Sequence, residues 1–366
     1  MKVTIRHLSC LTALAIGGLA QSANAAPADA NGCYWVGGAG LMKFKGDAGT
    51  VYVPRDARAG HLIGTFDKFF FSQNGENLQI HCFNDGTARL AFESTAIAPI
   101  FPGTLPPVNG EDVNGKVFNT SVNGIGARVR LGFPYDGSAA NTFIPNGPPV
   151  VPYTANANQP IFSAIPLASL YNYVTLIKTG PIPPGPHRFS SKLFNGSVTG
   201  LNTVLEYEIS GTVIQSQCTV LGNPVSADPV QLGTWPAADF THQGFTTRDT
   251  DFQITLSDCE SDPSNANQAV AHIRLDGVKG SVPVGDGSQG VFTLGDGSTA
   301  SGMGIQIVHV DGSTPIALGT DVPLQVINPS GTTVLPFKAR FYQTADHADI
   351  RGGIAKGSLG FTVTYR

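Results

Sequence analysis

The 366-residue chain is poor in charge: only 13% of it is Asp, Glu, Lys or Arg, and it holds two tryptophans and three methionines. Nothing in it is polybasic, which argues against nucleic acid as a partner. No C-x₂-C occurs, and no H-x₃₋₅-H stands beside the cysteines, so the ligand spacing of a closed zinc site is missing. G-x-S-x-G, a P-loop and H-E-x-x-H are all absent, which removes three recognisable kinds of catalytic centre. No stretch carries a long 3.6-residue apolar period. The body of the chain has no apolar run of 18 residues, which excludes a membrane-spanning helix there.

Breakers and strand formers take the place of helices. There are 44 glycines and 26 prolines, with runs rich in Val, Ile, Thr and Phe between them. That composition predicts an all-β protein of short strands and many turns, and the length predicts two domains. The first half has strand-like runs at 50–54, 62–72, 78–83, 88–94, 116–122, 127–133, 170–180, 187–198 and 203–214. In the second they fall at 229–233, 251–259, 269–277, 290–294, 303–310, 334–344 and 358–366. Asp-Gly pairs at Asp276, Asp286, Asp296 and Asp311 mark turns between them. Two long stretches, 102–115 and 133–161, lack any sustained period and read as loops, which at that length are functional or disordered.

The start differs. Lys2, Arg6 and His7 precede the apolar run "LTALAIGGLA", and "ANA" at 23–25 supplies small residues, so residues 1–25 read as a secretory signal cleaved after Ala25 or Ala26. "LSC" at 8–10 precedes the apolar run instead of closing it, which argues against lipidation. Losing Lys2 and Arg6 from the 22 basic residues leaves 20 against 26 acidic ones, a formal charge of −6. Cys10 leaves with the signal. Cys33, Cys82, Cys218 and Cys259 remain, an even number in an exported chain, which predicts two disulfides. Three pairings are open; the spacings favour Cys33–Cys82 and Cys218–Cys259, one in each half. The expected division is a first domain over 26–214 and a second over 215–366, joined at "SGTVIQSQC".

Candidate chemistry is thin. "GDGSQG" (285–290) fits G-x-G-x-x-G in letters, but strand-like "VFTL" follows where a dinucleotide site needs a helix. Asp346, His347 and Asp349 cluster in a loop and read as solvated surface; His61 and His81 read as ordinary strand positions. Among the carboxylates Glu111, Asp112, Asp136, Glu206 and Glu208, nothing marks an acid and a base in separated environments, as glycoside chemistry requires. No enzymatic activity and no cofactor or metal is expected. The better recognition candidates are Tyr135, Asp136, Asn141, Asn146 and Tyr153. Flat rings with amides and carboxylates in a loop suit a sugar's apolar face and hydroxyl rim. Tyr171 and Tyr173 alternate on a strand and are assigned to packing.

The end of the chain carries the sharpest signal. In "KGSLGFTVTYR", Leu359, Phe361, Val363 and Tyr365 alternate with small or polar residues, the pattern of a strand with one buried face. "PFKARFYQT" has the same pattern at Phe337, Ala339 and Phe341. A sandwich of this size has about seven strands, so one sheet edge is expected to be open and to require cover. A strand from another protein is the physical solution.

Residues 218–366 resemble the pilin domain of chaperone–usher fimbriae. The resemblance rests on Cys218 and Cys259 about 40 residues apart, on "LPFKARFY" (335–342), on Gly353 fourteenth from the end and on the penultimate Tyr365. It implies an incomplete immunoglobulin-like fold lacking its last strand. The groove would run along Gly353, Leu359, Phe361, Val363, Tyr365 and Arg366, and a periplasmic chaperone, then the next fimbrial subunit, would fill it at an outer-membrane usher. With about 190 residues ahead of it, and "NGIGARVRLGF" (123–133) among them, the whole resembles a two-domain tip adhesin. That implies a first domain that binds a host-surface glycan or protein, and a place at the fimbrium tip after passage through the periplasm. The alternative is a structural tip or adaptor subunit that binds no sugar.

Overall fold

The computed structural model describes residues 30–366; the secretory-signal assignment to 1–25 lies outside them. Within these residues are twenty strands and two single-turn 3₁₀ helices, Ala237–Asp239 and His347–Asp349. The protein is all-β, as the composition predicts, and each half has its own hydrophobic core. One runs from Met42 to Val213, with Phe44, Phe92, Phe194 and Tyr207 among its largest members. The other runs from Cys218 to Tyr365, with Phe240 and Phe337 fully buried.

In the first half, Met42–Pro54 pairs in parallel with Leu201–Thr219, which pairs antiparallel with His187–Val198, then Leu90–Ala96 and Tyr153–Ala157. The facing sheet orders Leu62–Gln73, Ser169–Lys178, Ile125–Leu131 and Phe118–Asn119. In the second half, Val291–Thr293, Met303–His309, Ser330–Gln343 and Thr250–Glu260 form one sheet, and Val322–Val326, Val270–Gly277 and Leu359–Tyr365 the other. The two disulfides are Cys33–Cys82 and Cys218–Cys259, each one joining partners within its own half.

Three differences from the sequence reading have clear causes. The first long strand begins at Met42, eight residues before the expected run, because Met42, Phe44 and Ala48 keep the alternation through a polar-looking segment. Gly46 continues it without a side chain: a Cβ there would meet the Tyr207 hydroxyl at 2.3 Å. Second, 203–214 does not stop at a linker. It belongs to the 19-residue strand Leu201–Thr219, which enters the second half and pairs there at Gln217↔Glu260. Third, the two long loops are packed. Leu105, Val108 and Val113 form a small third core with Val117 and Ile177, and the 133–161 stretch holds the short strands Ile144–Pro145 and Tyr153–Ala157. The expected strand at 229–233 does not form: Pro229 sits in a bend, Gly233 is left-handed at φ +84°, and the segment has no ladder partner.

The Cys218–Cys259 bridge closes a loop of 41 residues, worth about 4 kcal/mol on the chain-entropy account. Replacing both cysteines by serine is expected to lower the unfolding free energy by about that much, read as a lower urea midpoint with a steeper slope, because the unbridged unfolded chain exposes more surface.

Candidate functional site

Two regions have the geometry of sites. The first is the free edge of the terminal strand. Leu359–Tyr365 pairs antiparallel with Val270–Gly277 in the register Ala271↔Tyr365 to Gly277↔Leu359. Val270 and Arg366 exchange both backbone bonds, 2.7 and 3.1 Å, and the Val278 N–H donates to the Ser358 carbonyl at 3.1 Å. Antiparallel alternation therefore turns the N–H and C=O groups of 359, 361, 363 and 365 away from that partner. Their side chains all face the core, with Tyr365 fully buried and Leu359, Phe361 and Val363 partly so. Core-facing apolar side chains and backbone groups turned from the ladder partner thus come from the same four residues. Among the described residues, those of Leu359 and Phe361 meet no partner.

Elsewhere around the same core, residues 229–235 belong to no strand and make no backbone–backbone hydrogen bond. Leu232 and Trp235 there pack against the same core as the terminal strand. A cavity of about 140 Å³ opens beside this segment, lined by Trp235, Phe240, Met303, Phe341 and, from the stretch ahead of the terminal strand, Gly353 and Ala355. Gly353 is needed for closeness: a Cβ would meet the Thr299 hydroxyl at 2.5 Å and the Ala300 nitrogen at 2.8 Å. Tyr365 roots the strand by donating its hydroxyl to the Cys218 carbonyl at 3.0 Å. Arg366 lies past the groove and pairs with Asp321.

The second region is a pocket of about 350 Å³ on the first half, where the 102–115 and 146–154 segments meet the Ile125–Leu131 strand. Its lining includes Glu111, Lys116, Arg128, Asn146, Tyr153 and Thr154. Lys116 donates to the Val150 and Pro152 carbonyls at 3.3 and 2.5 Å, and burial lowers the pKa of its ammonium. Arg128 is only 4% exposed and pairs with Asp67 at 2.9 Å and with Glu111; Arg130 reaches the other Asp67 oxygen at 2.7 Å. Asn146 donates to Thr154 at 2.7 Å and accepts from Asn156 at 2.9 Å. The result is a preset polar wall with an apolar base, the composition of a small-molecule or sugar pocket.

The loop candidates divide on these coordinates. Asn146 and Tyr153 line the pocket. Tyr135 is a core residue, fully buried against Phe92 and Phe143. Its carbonyl accepts the Tyr153 hydroxyl at 2.7 Å, and burial drives both phenols well above the ordinary range. Asp136 closes a local turn on the Ser138 amide, and Asn141 reaches Ser163; neither lines the pocket. Glu111, Lys116, Arg128 and Thr154 do line it and were not expected there. The available signal was Arg128 and Arg130 in "ARVRL": charges on a strand with Ala127, Val129 and Leu131 buried call for carboxylate partners.

Tyr171 and Tyr173 reverse the packing assignment. Leu170, Asn172 and Val174 are buried, and the two tyrosines stand on the outer face, against half-exposed Phe69 and Phe71. The inward position held by Asn172 hid the true parity. Glu206 and Glu208 form ordinary ion pairs, with Lys192 at 2.9 Å and Lys45 at 3.8 Å. His347 lies in a 3₁₀ turn and its Nδ1 contacts the Phe240 carbonyl.

Residues 207–366 match the family model for fimbrial proteins. The chain is also similar to an uncharacterised fimbrial-like protein, YdeS, of Escherichia coli K12, at 27% identity over 49% of this chain and 99% of that protein. With the type-1 fimbrial protein A chain of the same strain it shares 26% identity over 43% of this chain and 80% of the other. Among solved structures, the CupB6 tip adhesin of Pseudomonas aeruginosa aligns at 16% identity over 92% of this chain and 94% of its own, with a TM-score of 0.36.

Removing the Asp67 charge leaves the buried Arg128 with only half-exposed Glu111. Asp67→Ala is expected to cost about 3–5 kcal/mol in chemical denaturation. A pH dependence follows from His61. Burial first, then the neighbouring Lys178 ammonium, lower its pKa below 6.5. The unfolded chain therefore binds that proton more readily, and stability falls as pH drops from 6.5 through the folded pKa. His61→Gln is expected to flatten that part of a melting-temperature profile.

Proposed function

We propose that this fimbrial protein is a tip adhesin. Its second domain, 215–366, joins the fimbrium by accepting a strand from another protein. Its first domain, 26–214, binds a host-surface receptor. The observation that carries the assembly half is the terminal strand. Leu359, Phe361 and Val363 are incompletely covered, and the backbone groups of Leu359 and Phe361 are unpaired. A foreign strand laid there answers both deficits at once, ladder bonds from its backbone and cover from its side chains. A periplasmic chaperone supplies it first, and the next subunit replaces it at the outer-membrane usher. The exported chain then reaches the cell surface at the fimbrium tip.

The receptor half rests on the pocket at Lys116, Asn146 and Thr154, whose size suits one or two sugar rings. A second reading, a structural tip or adaptor subunit, is favoured by a different observation: half-exposed Phe69 and Phe71 beside Tyr171 and Tyr173, a face suited to protein contacts.

A glycan array probed with the full-length protein held by its chaperone separates the two. The lectin reading expects saturable, sugar-competable binding that Asn146→Ala and Thr154→Ala each weaken about tenfold, the size of one lost hydrogen bond. Binding untouched by both substitutions, or no binding to any sugar, moves the weight to the structural reading. For assembly, deleting 357–366 is expected to abolish capture by a co-expressed chaperone while leaving export intact. A stable chaperone complex of the shortened chain would overturn that half.

A further inference from the structure

The free edge of the terminal strand is not open along its whole length. At its far end the first half of the protein reaches across. The turn after Met42–Pro54 places Asp56 beside Tyr365. The Asp56 N–H donates to the Tyr365 carbonyl at 2.9 Å, and the Tyr365 N–H donates to the Asp56 carboxylate at 2.8 Å. One residue thus supplies the donor and the acceptor that a neighbouring strand would supply at that position, the carboxylate standing in for a backbone carbonyl. Arg55 completes the contact. Its guanidinium holds the Asp56 carboxylate through Nε at 3.2 and 3.1 Å and Nη2 at 2.9 Å. Nη2 also donates to the Val363 carbonyl at 3.3 Å, and the group lies 4.8 Å above the Tyr365 ring.

The turn is itself braced from behind. The Arg55 N–H donates to the Ser216 carbonyl at 3.1 Å, at the point where the long strand passes between the halves. The buried Lys178 ammonium donates to the Arg55 and Pro54 carbonyls at 2.7 and 3.4 Å. Displacing Asp56 breaks both of its bonds to Tyr365, and moving the whole turn also releases the carbonyls that Lys178 holds, beside a fully buried tyrosine.

We infer that the Arg55–Asp56 turn is a built-in stop for the complementing strand. That strand pairs with Leu359, Phe361 and the Val363 N–H, and ends against the first half without reaching Tyr365. The inference rests on the strand-addition reading above and adds where the added strand ends and what it abuts. The incoming strand needs a terminus or a turn at that point, with no large side chain facing Arg55, which covers the Tyr365 ring.

The test is amide exchange resolved to single residues by NMR, on the full-length protein alone and in complex with a co-expressed periplasmic fimbrial chaperone. In the free protein the Asp56 and Tyr365 amides are expected to be protected, and those of Leu359, Phe361 and Val363 to exchange fast. Chaperone binding should protect these last three and leave Asp56 unchanged. Asp56→Ala should lose Tyr365 protection in the free protein and regain it in the complex as the added strand runs on. Asp56→Asn, whose amide oxygen still accepts the Tyr365 N–H, should behave like the wild type and excludes a general loss of fold. If chaperone binding releases the Asp56 amide, the strand runs past Tyr365 and the stop is overturned. It is equally overturned if Tyr365 protection in the free protein ignores Asp56→Ala. If Leu359, Phe361 and Val363 gain no protection while Asp56→Ala still exposes Tyr365, strand addition itself fails, and with it the stop, but the contact between the halves stands.

Discussion

A β-strand has two hydrogen-bonding edges, and every sheet in this protein is arranged around how those edges are used. The strand Leu201–Thr219 uses both. In the first half it holds Met42–Pro54 on one side and His187–Val198 on the other, and its last residues join the second half's sheet through Thr250–Glu260. It is the common member of two cores that otherwise share no buried residue. The terminal strand has the opposite character, with one edge bonded and the other mostly bare. The first strand gives the molecule its continuity, and the second leaves it an edge mostly without a partner.

The electrostatics follow the same logic of satisfying what is buried. Charges are few, and those inside are paired: Arg128 with Asp67 and Glu111, Lys178 with two carbonyls, Lys116 with two more. These groups pin irregular segments that a hydrophobic pattern could not. The segment near Val150 and Pro152 is held by an ammonium, and the turn at Pro54 and Arg55 by another. In both places an ammonium takes up carbonyls that no ladder satisfies, Lys178 from a strand end and Lys116 from the loop ahead of Phe118–Asn119.

How much of this was legible depended on whether the information was local. The pilin-like half could be read because its alternation is strict and its markers lie close together: Phe337, Ala339 and Phe341 on one strand, Leu359 to Tyr365 on another. In "HRFSSKLFNGSV" the run of residues gave the strand's own limits, His187–Val198. The candidate pocket of the first half could not be read so well. Tyr135 sits in a loop by sequence but in the core by contact, because Phe92 and Phe143 close over it. Tyr171 and Tyr173 look core-facing until the buried Asn172 reveals which parity points inward. The pocket draws Lys116, Arg128 and Asn146 from separate strands and loops, a convergence that no spacing in the chain encodes.

The uninterrupted strand between the halves also has a mechanical meaning. A protein anchored by its second half and pulled through its first would carry tension along Leu201–Thr219, since the covalent path between the cores runs through it. That strand lies lengthwise against the parallel Met42–Pro54 from Leu205↔Met42 to Ser216↔Pro54. Load along such a ladder is shared by all its rungs at once, instead of opening them one at a time as in a zipper. Beyond Ser216 the strand pairs with the second half only at Gln217↔Glu260 and Thr219↔Ser257, so load passes from a long parallel ladder to a short antiparallel one.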